Sequence, residues 1–298
     1  MDIAFITVNC NTLSWVKQLA DFFSSLSAPF TCSFCVVDNN SNDGSKEFLQ
    51  SRPEIRYLQT GTNLGYGRAI NRGVAETESK YVCVTNTDVV LNREALVALW
   101  AFLEENPVVG VCAPRLTYRD GRDQGMLCHP SLPALYVHWF AKILANASKR
   151  KIAKATAPVW VPGVMGAFFL IRRSVIPGPA LFDEDFFFFH EDIALAHLLK
   201  TRGIKCVVIP SVSIIHAGGE SRMDNLVDAF YESKYLYVRK FYGSFHARMV
   251  HFVDGARIFR KRLFYSWFGR LVPSERMKSK RRYYEAAWNS VGRKNGDE

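Results

Sequence analysis

Over roughly the first 115 residues the chain switches repeatedly between two hydrophobic periods. Asp2–Val8 is a short apolar run and predicts a first strand. Leu13, Val16, Leu19, Phe23 and Leu26 then recur at helical spacing. Ser33–Asp38 predicts a buried strand, and Asp43–Ser51 a helix after a Ser-Asn turn. Ile55–Gln59 predicts a strand, Gly65–Thr77 a helix and Tyr81–Thr85 a strand. Leu96, Leu99, Trp100 and Leu103 form another helical stripe before a strand at Val108–Ala113. Strands that alternate with helices predict an α/β fold: a doubly wound, mostly parallel sheet with helices on both faces. In such sheets ligands bind beyond the C-terminal ends of the strands.

The pattern fades between Thr117 and Pro158. Leu135, Tyr136, Trp139, Phe140, Ile143 and Leu144 precede a basic Lys149-Arg150-Lys151. A mobile lid, an acceptor-binding insertion and a membrane-touching helix all fit that segment. Trp160–Arg172 resumes as a strand region. Glu191–Arg202 predicts a helix, Cys206–Pro210 a strand and Asp224–Phe241 a long helix. The expected division is a main domain over 1–243, with 117–158 as an irregular insertion or lid, and a tail over 244–298.

Composition narrows the class. The 298 residues are 48% hydrophobic and 22% charged, so a sizeable core can be buried. No apolar run approaches the ~20 residues that span a bilayer. Met1–Val8 lacks a basic leader and a cleavage site, and reads as a strand rather than a signal peptide. The cysteines (Cys10, Cys32, Cys35, Cys83, Cys112, Cys128 and Cys206) are scattered, and the Cys32-x-x-Cys35 pair has no second pair to complete a zinc site. Buried reduced thiols in a cytoplasmic protein are expected. The net charge is +10, and residues 244–298 hold 13 Lys/Arg against 5 Asp/Glu, which is +8. The main domain is therefore nearly neutral.

Several polar clusters end apolar runs. Asp38 closes the second strand and leads into Asn39-Asn40-Ser41-Asn42-Asp43-Gly44. A carboxylate there can accept from a ribose or a base imide, yet the cluster is also ordinary turn and capping chemistry. Gly65-Tyr66-Gly67-Arg68 opens a helix whose backbone N–H groups suit a phosphate, with Arg68 as a further contact or a solvated residue. Asn86-Thr87-Asp88 is a D-x-D-like site with Asn in the first place. It suits a hard divalent ion shared with a diphosphate, or a strand-end turn. Phe186 to Phe189 followed by His190-Glu191-Asp192 sets carboxylates beside an apolar wall, which raises their basicity; the plainer reading is a buried strand and then acids in a helix's first turn. His190 reads as structural. His216, in Ile214-Ile215-His216-Ala217-Gly218-Gly219-Glu220-Ser221, ends another apolar run, and is either a metal or diphosphate contact or a structural histidine.

In this order the segments resemble the inverting family 2 glycosyltransferases of the GT-A fold, over residues 2–243. The look is nearest to bacterial rhamnosyltransferases and O-antigen or capsule-type transferases. The resemblance rests on Val36 to Ser45, Asn63-x-Gly65-x-Gly67, Asn86-Thr87-Asp88, Gly163-x-x-Gly166-Ala167-Phe168, Phe182-Asp183-Glu184, Glu191-Asp192 and His216. It implies that Asp38 contacts the nucleotide base, with Thr7, Val8, Asn9 and Asn40 lining the same pocket, and Gly65, Arg68 and Asn86 nearby. It implies that Asp88 and His216 serve a Mg²⁺ or Mn²⁺ ion, and that Gly163, Gly166 and Ala167 border the donor-sugar or acceptor pocket. Asp192 would be the general base, with Glu191 beside it.

The implied activity is transfer of a sugar from a nucleoside-diphosphate donor, dTDP-rhamnose or a UDP-hexose, to a glycan acceptor, lipid-linked in the expected case, in cell-surface polysaccharide synthesis. Relatives commonly carry a second acid two residues after Glu-Asp and an Arg further on. Here Ala194 and His197 stand in those places. Ala194 favours an alternative, a non-catalytic nucleotide- or glycan-binding module on a degenerate scaffold. A nucleotidyltransferase is disfavoured because Asn9-Cys10-Asn11-Thr12 is not a glycine-rich basic loop. Basic residues interleaved with aromatics over 255–282 suit an interfacial helix on an anionic membrane, or a helix packed on the main domain. No recognition motif for nucleic acid accompanies the charge. The implied location is cytoplasmic and peripheral, on the inner face of the cell membrane.

Overall fold

The computed structural model describes residues 1–125, 132–136, 138–176, 178–218, 226–271 and 274–292. Cys128, Glu220, Ser221 and the Asp224 helix start lie outside them. The chain divides into two compact units. The first comprises Met1–Pro130, Ala141–Phe187 and Glu191–Gly218; the second comprises Ser131–Phe140, Phe188–His190 and Gly219–Glu298.

The first unit is built on a nine-stranded mixed sheet. Strands and helices alternate as β1 Ile3–Asn9, α1 Leu13–Ser25, β2 Cys32–Asp38, α2 Ser45–Gln50, β3 Ile55–Gln59, α3 Tyr66–Ala75 and β4 Tyr81–Thr85. There follow β5 Val89–Val90, α4 Arg93–Glu105 and β6 Val109–Thr117. Helix α5 Leu132–Tyr136, which belongs to the second unit, and helix α6 His138–Lys154, which is in the first unit from Ala141 on, occupy the segment where the sequence pattern fades. Then come β7 Val159–Val161, β8 Phe168–Arg172, α7 Glu191–Thr201 and β9 Lys205–His216. The strand order is β3-β2-β1-β4-β8-β6-β9-β5, with β7 also on β9. Strands β1 to β4 pair in parallel, as do β6 and β9. Strand β8 runs antiparallel to both β4 and β6, and β5 and β7 run antiparallel to β9.

Both faces of this sheet are covered, which explains the unbroken apolar runs. On β4, Tyr81 and Cys83 join one core with Phe5, Leu19, Leu96, Leu99 and Phe168, under α1 and α4. Val82 and Val84 join the other with Ile70, Val74, Phe169, Ile171 and Leu195, under α3 and α7. Asn92 caps α4 by accepting from the Ala95 N–H at 2.8 Å. Cys35, Cys83, Cys112 and Cys206 are buried free thiols, as expected, whereas Cys10 and Cys32 are exposed.

Two elements differ from the sequence reading. Strand β9 is twelve residues long, not five. Pro210 lacks an N–H, and the register with β6 slips between Pro114 and Arg115, so the apolar run looks interrupted where the strand continues through a bulge. Phe186–Phe189 is not a strand but a bent segment, with Phe189 and His190 both left-handed at φ 66° and 65°.

The second unit contains α8 Val227–Tyr242, α9 Ser244–Leu271 and α10 Glu275–Gly292. Its interior holds Val238, Val250, Ile258, Ala287 and Val291. Asp254 is buried there between Lys234 Nζ at 2.5 Å and Arg257 at 2.9 Å, so the two cations compensate its lost hydration.

Candidate active site

Strand pairing brings Asp88 to His216. Val89 in β5 is opposite His216 at the end of β9, and Ala217 N–H donates to the Asp88 carbonyl at 2.8 Å. The Asp88 Oδ1 then lies 3.2 Å from His216 Nε2, and Gly218 N–H donates to Oδ2 at 3.0 Å. Burial opposes ionisation of Asp88, but the His216 and Gly218 contacts outweigh it and hold the carboxyl below its ordinary range. Gln124 orients the imidazole. Its Nε2 donates to the His216 carbonyl at 2.5 Å, so its Oε1, 2.6 Å from Nδ1, accepts from that nitrogen. With Nδ1 engaged by Gln124, Nε2 is the ring nitrogen that faces Asp88 Oδ1, so the imidazole and the carboxylate stand side by side.

That arrangement fits a divalent ion. One carboxylate and one oriented histidine suffice for Mg²⁺ or Mn²⁺ when a diphosphate brings more oxygens. Among the described residues there is no group of three or more His, Cys, Asp and Glu side chains that would hold an ion without such help.

A second pairing positions Asp192. Strand β8 pairs with β4 so that Phe168 faces Thr85, and Asn86 N–H donates to the Ala167 carbonyl at 2.8 Å. The adjoining Gly166 N–H donates to Asp192 Oδ2 at 3.1 Å. Asp192 and Glu191 open α7, where the positive end of the helix dipole favours acids. Asp192 stays partly exposed, whereas Glu191 is buried and its Oε2 has no partner among the described residues. Burial raises both carboxyls; on Glu191 the neighbouring Asp192 charge adds to it, and on Asp192 the Gly166 and Ile193 N–H groups oppose it.

Tyr66 joins these two centres. Its hydroxyl lies 2.9 Å from Asn86 Oδ1 and 2.9 Å from the Gly166 carbonyl. Burial, then the charges of Glu191, Asp192 and Asp88, push its phenol well above the usual range, so it stays a neutral donor. A third centre is linked from the other side. Asn9 Nδ2 donates to the buried Asp38 Oδ1 at 2.7 Å and to Ser41 at 2.9 Å. Thr12 Oγ1 sits 2.7 Å from Asn9 Oδ1 and 3.1 Å from Thr87 Oγ1, next to Asp88. The three acids Asp38, Asp88 and Asp192 thus belong to one connected polar network at the C-terminal ends of β1, β2 and β4.

The other expected residues fall as follows. Thr7 is buried in β1 and its Oγ1 has no partner among the described residues. Asn40 is exposed in a left-handed turn at φ 67°. Gly163 and Ala167 are buried in the loop before β8. The helix start at Gly65 meets protein rather than an open cradle: Tyr66 N–H donates to the Phe187 carbonyl at 2.9 Å. Arg68 is exposed and its Nε donates to the Glu184 carbonyl at 2.7 Å. Ala194 is fully buried on α7, and His197 is half-buried. His190 lies in the second unit against Phe230, and burial, followed by the Lys234 charge, lowers it to about 3, so it is a neutral packing residue. Tyr66, Thr12, Thr87 and Gln124 carry no signal by residue type, although Tyr66 stands between Gly65 and Gly67 and Thr87 inside Asn86-Thr87-Asp88.

Residues 5–177, more than half of the chain, match the sequence profile described as Glycosyl transferase family 2. The chain belongs to glycosyl transferase family 2. This family member is 28% identical over 225 residues to an N-acetylglucosaminyl-diphospho-decaprenol L-rhamnosyltransferase of Mycobacterium tuberculosis, over 69% of this chain and 73% of the relative. It is 24% identical over 219 residues to a low-salt glycan biosynthesis hexosyltransferase of Haloferax volcanii, over 72% of this chain and 67% of the relative. Its fold is similar to that of a mannosyltransferase from Pyrobaculum calidifontis solved with GDP-Man and Mn²⁺, with a TM-score of 0.55 at 14% identity, over 98% of this chain and 86% of that one. It is also similar to the Staphylococcus aureus TarS fragment described as S. aureus TarS 1-349, with a TM-score of 0.51 at 14% identity, over 100% of this chain and 92% of that one. The family 2 chain therefore has the GT-A fold.

Proposed function

We propose that this family 2 member is an inverting, divalent-metal-dependent glycosyltransferase that uses a nucleoside-diphosphate sugar. The observation that supports the reading is the Asp192–Gly166–Tyr66–Asn86 connection, which links the Asp192 carboxyl to Asn86, whose Nδ2 lies 3.4 Å from His216 Nε2. Asp192 removes the proton of an acceptor hydroxyl as its oxygen attacks the anomeric carbon. The new C–O bond forms on one face as the bond to the diphosphate breaks on the other, so the configuration inverts. Asp88 and His216 would hold the ion, which supplies stabilisation for the charge growing on the leaving diphosphate. Asp38, Asn9, Thr7 and Asn40 are assigned to the nucleotide, and Gly163, Gly166 and Ala167 to the border of the sugar pocket.

A rhamnosyl or hexosyl donor and a lipid-linked acceptor are the specific proposal. The mycobacterial relative's name, a rhamnosyltransferase acting on a decaprenyl-diphosphate-linked sugar, supports both. An acceptor of that kind sets the work at the cytoplasmic face of the cell membrane, within cell-surface glycan synthesis. The test is a panel of dTDP-rhamnose and UDP-hexoses, with and without Mn²⁺, offered with a lipid-linked N-acetylglucosaminyl diphosphate. Metal-dependent release of nucleoside diphosphate with one donor supports the reading. Absence of release with all donors contradicts it.

A further inference from the structure

Helix α9 carries a continuous exposed apolar stripe. Phe245, Met249, Phe252, Phe259, Leu263 and Trp267 are 66%, 40%, 71%, 43%, 53% and 65% exposed. At about 100° per residue these positions fall within roughly 80° of arc, and at about 1.5 Å per residue they extend for about 33 Å. Isolated surface phenylalanines are common, but an ordered line of this length marks an interaction surface. Arg248 and Arg260 are exposed on the same helix, about 60° to either side of the stripe.

The charge around it is one-sided. Ser244 to Gly292 contains 11 Lys/Arg and 3 Asp/Glu. Each of those three acids already has a basic partner: Asp254 with Lys234 and Arg257, Glu275 with Lys278, and Glu285 with Arg281. Over the whole 219–298 part of this unit, 17 Lys/Arg stand against 9 Asp/Glu, which leaves +8. Among the described residues no helix is long and apolar enough to cross a membrane.

We infer that α9 is an interfacial helix that seats its Phe245–Trp267 stripe in the acyl boundary of an anionic lipid surface, with Arg248 and Arg260 at the headgroups. An apolar face edged by basic residues is complementary to that surface on both counts. A second copy of the chain would oppose two strongly basic faces, and nucleic acid would neutralise the charge but leave the aromatic stripe in water. The inference deepens the membrane reading above and uses none of the residues assigned to transfer, so the two can fail separately.

The test is co-sedimentation of the full chain with phosphatidylglycerol–phosphatidylcholine vesicles and with pure phosphatidylcholine, alongside nucleoside diphosphate release with a soluble acceptor. Wild type is expected to bind the anionic vesicles in a salt-sensitive way and phosphatidylcholine far less. The pair Arg248→Glu/Arg260→Glu should weaken binding at least roughly tenfold. The pair Phe252→Ser/Trp267→Ser should also weaken it, while release in solution stays at the wild-type level for both. Vesicle binding untouched by either pair overturns the inference. So does a wild type that ignores vesicles and forms a dimer that Phe252→Ser/Trp267→Ser dissolves, or one that binds duplex nucleic acid regardless of that change. Vesicle binding without any sugar transfer would uphold this inference and remove the transferase reading.

Discussion

The hydroxyl of Tyr66 lies 2.9 Å from the carbonyl of Gly166, the residue whose N–H holds Asp192. The same hydroxyl reaches Asn86, whose Nδ2 lies 3.4 Å from His216 Nε2. Tyr66→Phe keeps the ring and removes this one link. Leaving a buried acceptor unpaired costs about 1–3 kcal/mol. Turnover should fall roughly tenfold or more, since about 1.4 kcal/mol is tenfold in rate. Steady-state kinetics should show the loss mainly in kcat, and the thermal midpoint should fall by about 2–4 °C per kcal/mol lost.

Two glycines should respond differently to alanine. At Gly166 a Cβ would sit 3.4 Å from Asp192 Cβ and 3.6 Å from its Oδ2, ordinary contact distances that leave the fold intact but set a methyl against the carboxylate. Gly166→Ala should lower activity far more than stability. At Gly65, with φ +83°, a Cβ would fall against the Phe187 backbone. Gly65→Ala should cost about 2 kcal/mol or more by denaturant unfolding, because the left-handed backbone and the overlap act together.

The raised Glu191 and Asp192 carboxyls set two pH dependences. A carboxyl that holds its proton more tightly when folded favours the folded state at low pH. That contribution is lost as pH rises from the unfolded value, near 4, through the raised folded value. Glu191→Gln should therefore raise the thermal midpoint above wild type at pH 8 and converge with it near pH 4. The base must also be ionised, so the acidic limb of kcat/KM should lie nearer neutrality than an ordinary aspartate allows. It reports the pair rather than one residue.

Gln124 fixes the His216 tautomer from outside the ion's own contacts. Gln124→Leu should weaken Mn²⁺ binding in the presence of nucleoside diphosphate by about 10–100-fold. Calorimetry is the check, and nucleotide binding without metal should be unaffected.

The fold was largely legible because β1, β2 and β4 are apolar on both faces and α1 and α4 each show one apolar stripe. Strand direction was not. Phe168 to Ile171 is apolar throughout, and nothing in such a run tells whether it pairs parallel or antiparallel with β4. The site acids were legible as polar residues ending apolar runs, at Asp38, Asp88 and Asp192. Their connectors were not. Gln124 and His216 are 92 residues apart and meet only through the β6–β9 and β5–β9 pairings. Tyr66 carries an ordinary helix-start aromatic's signature until Gly166 arrives from β8. The Phe186–Phe189 run misled because apolar content suggests a strand, whereas two consecutive left-handed residues break it and turn the chain into α7.

The central claim is that Asp192 is the base of the transfer reaction. Asp192→Asn retains an acceptor for the Gly166 N–H but has no basic oxygen, so the loop should keep its place. The measurement is transfer to a lipid-linked acceptor by Asp192→Asn, with folding checked by its thermal midpoint and nucleotide binding by calorimetry. A fall of about 10²–10⁴-fold in kcat with fold and nucleotide affinity retained is the predicted result. Transfer near the wild-type rate would contradict the account.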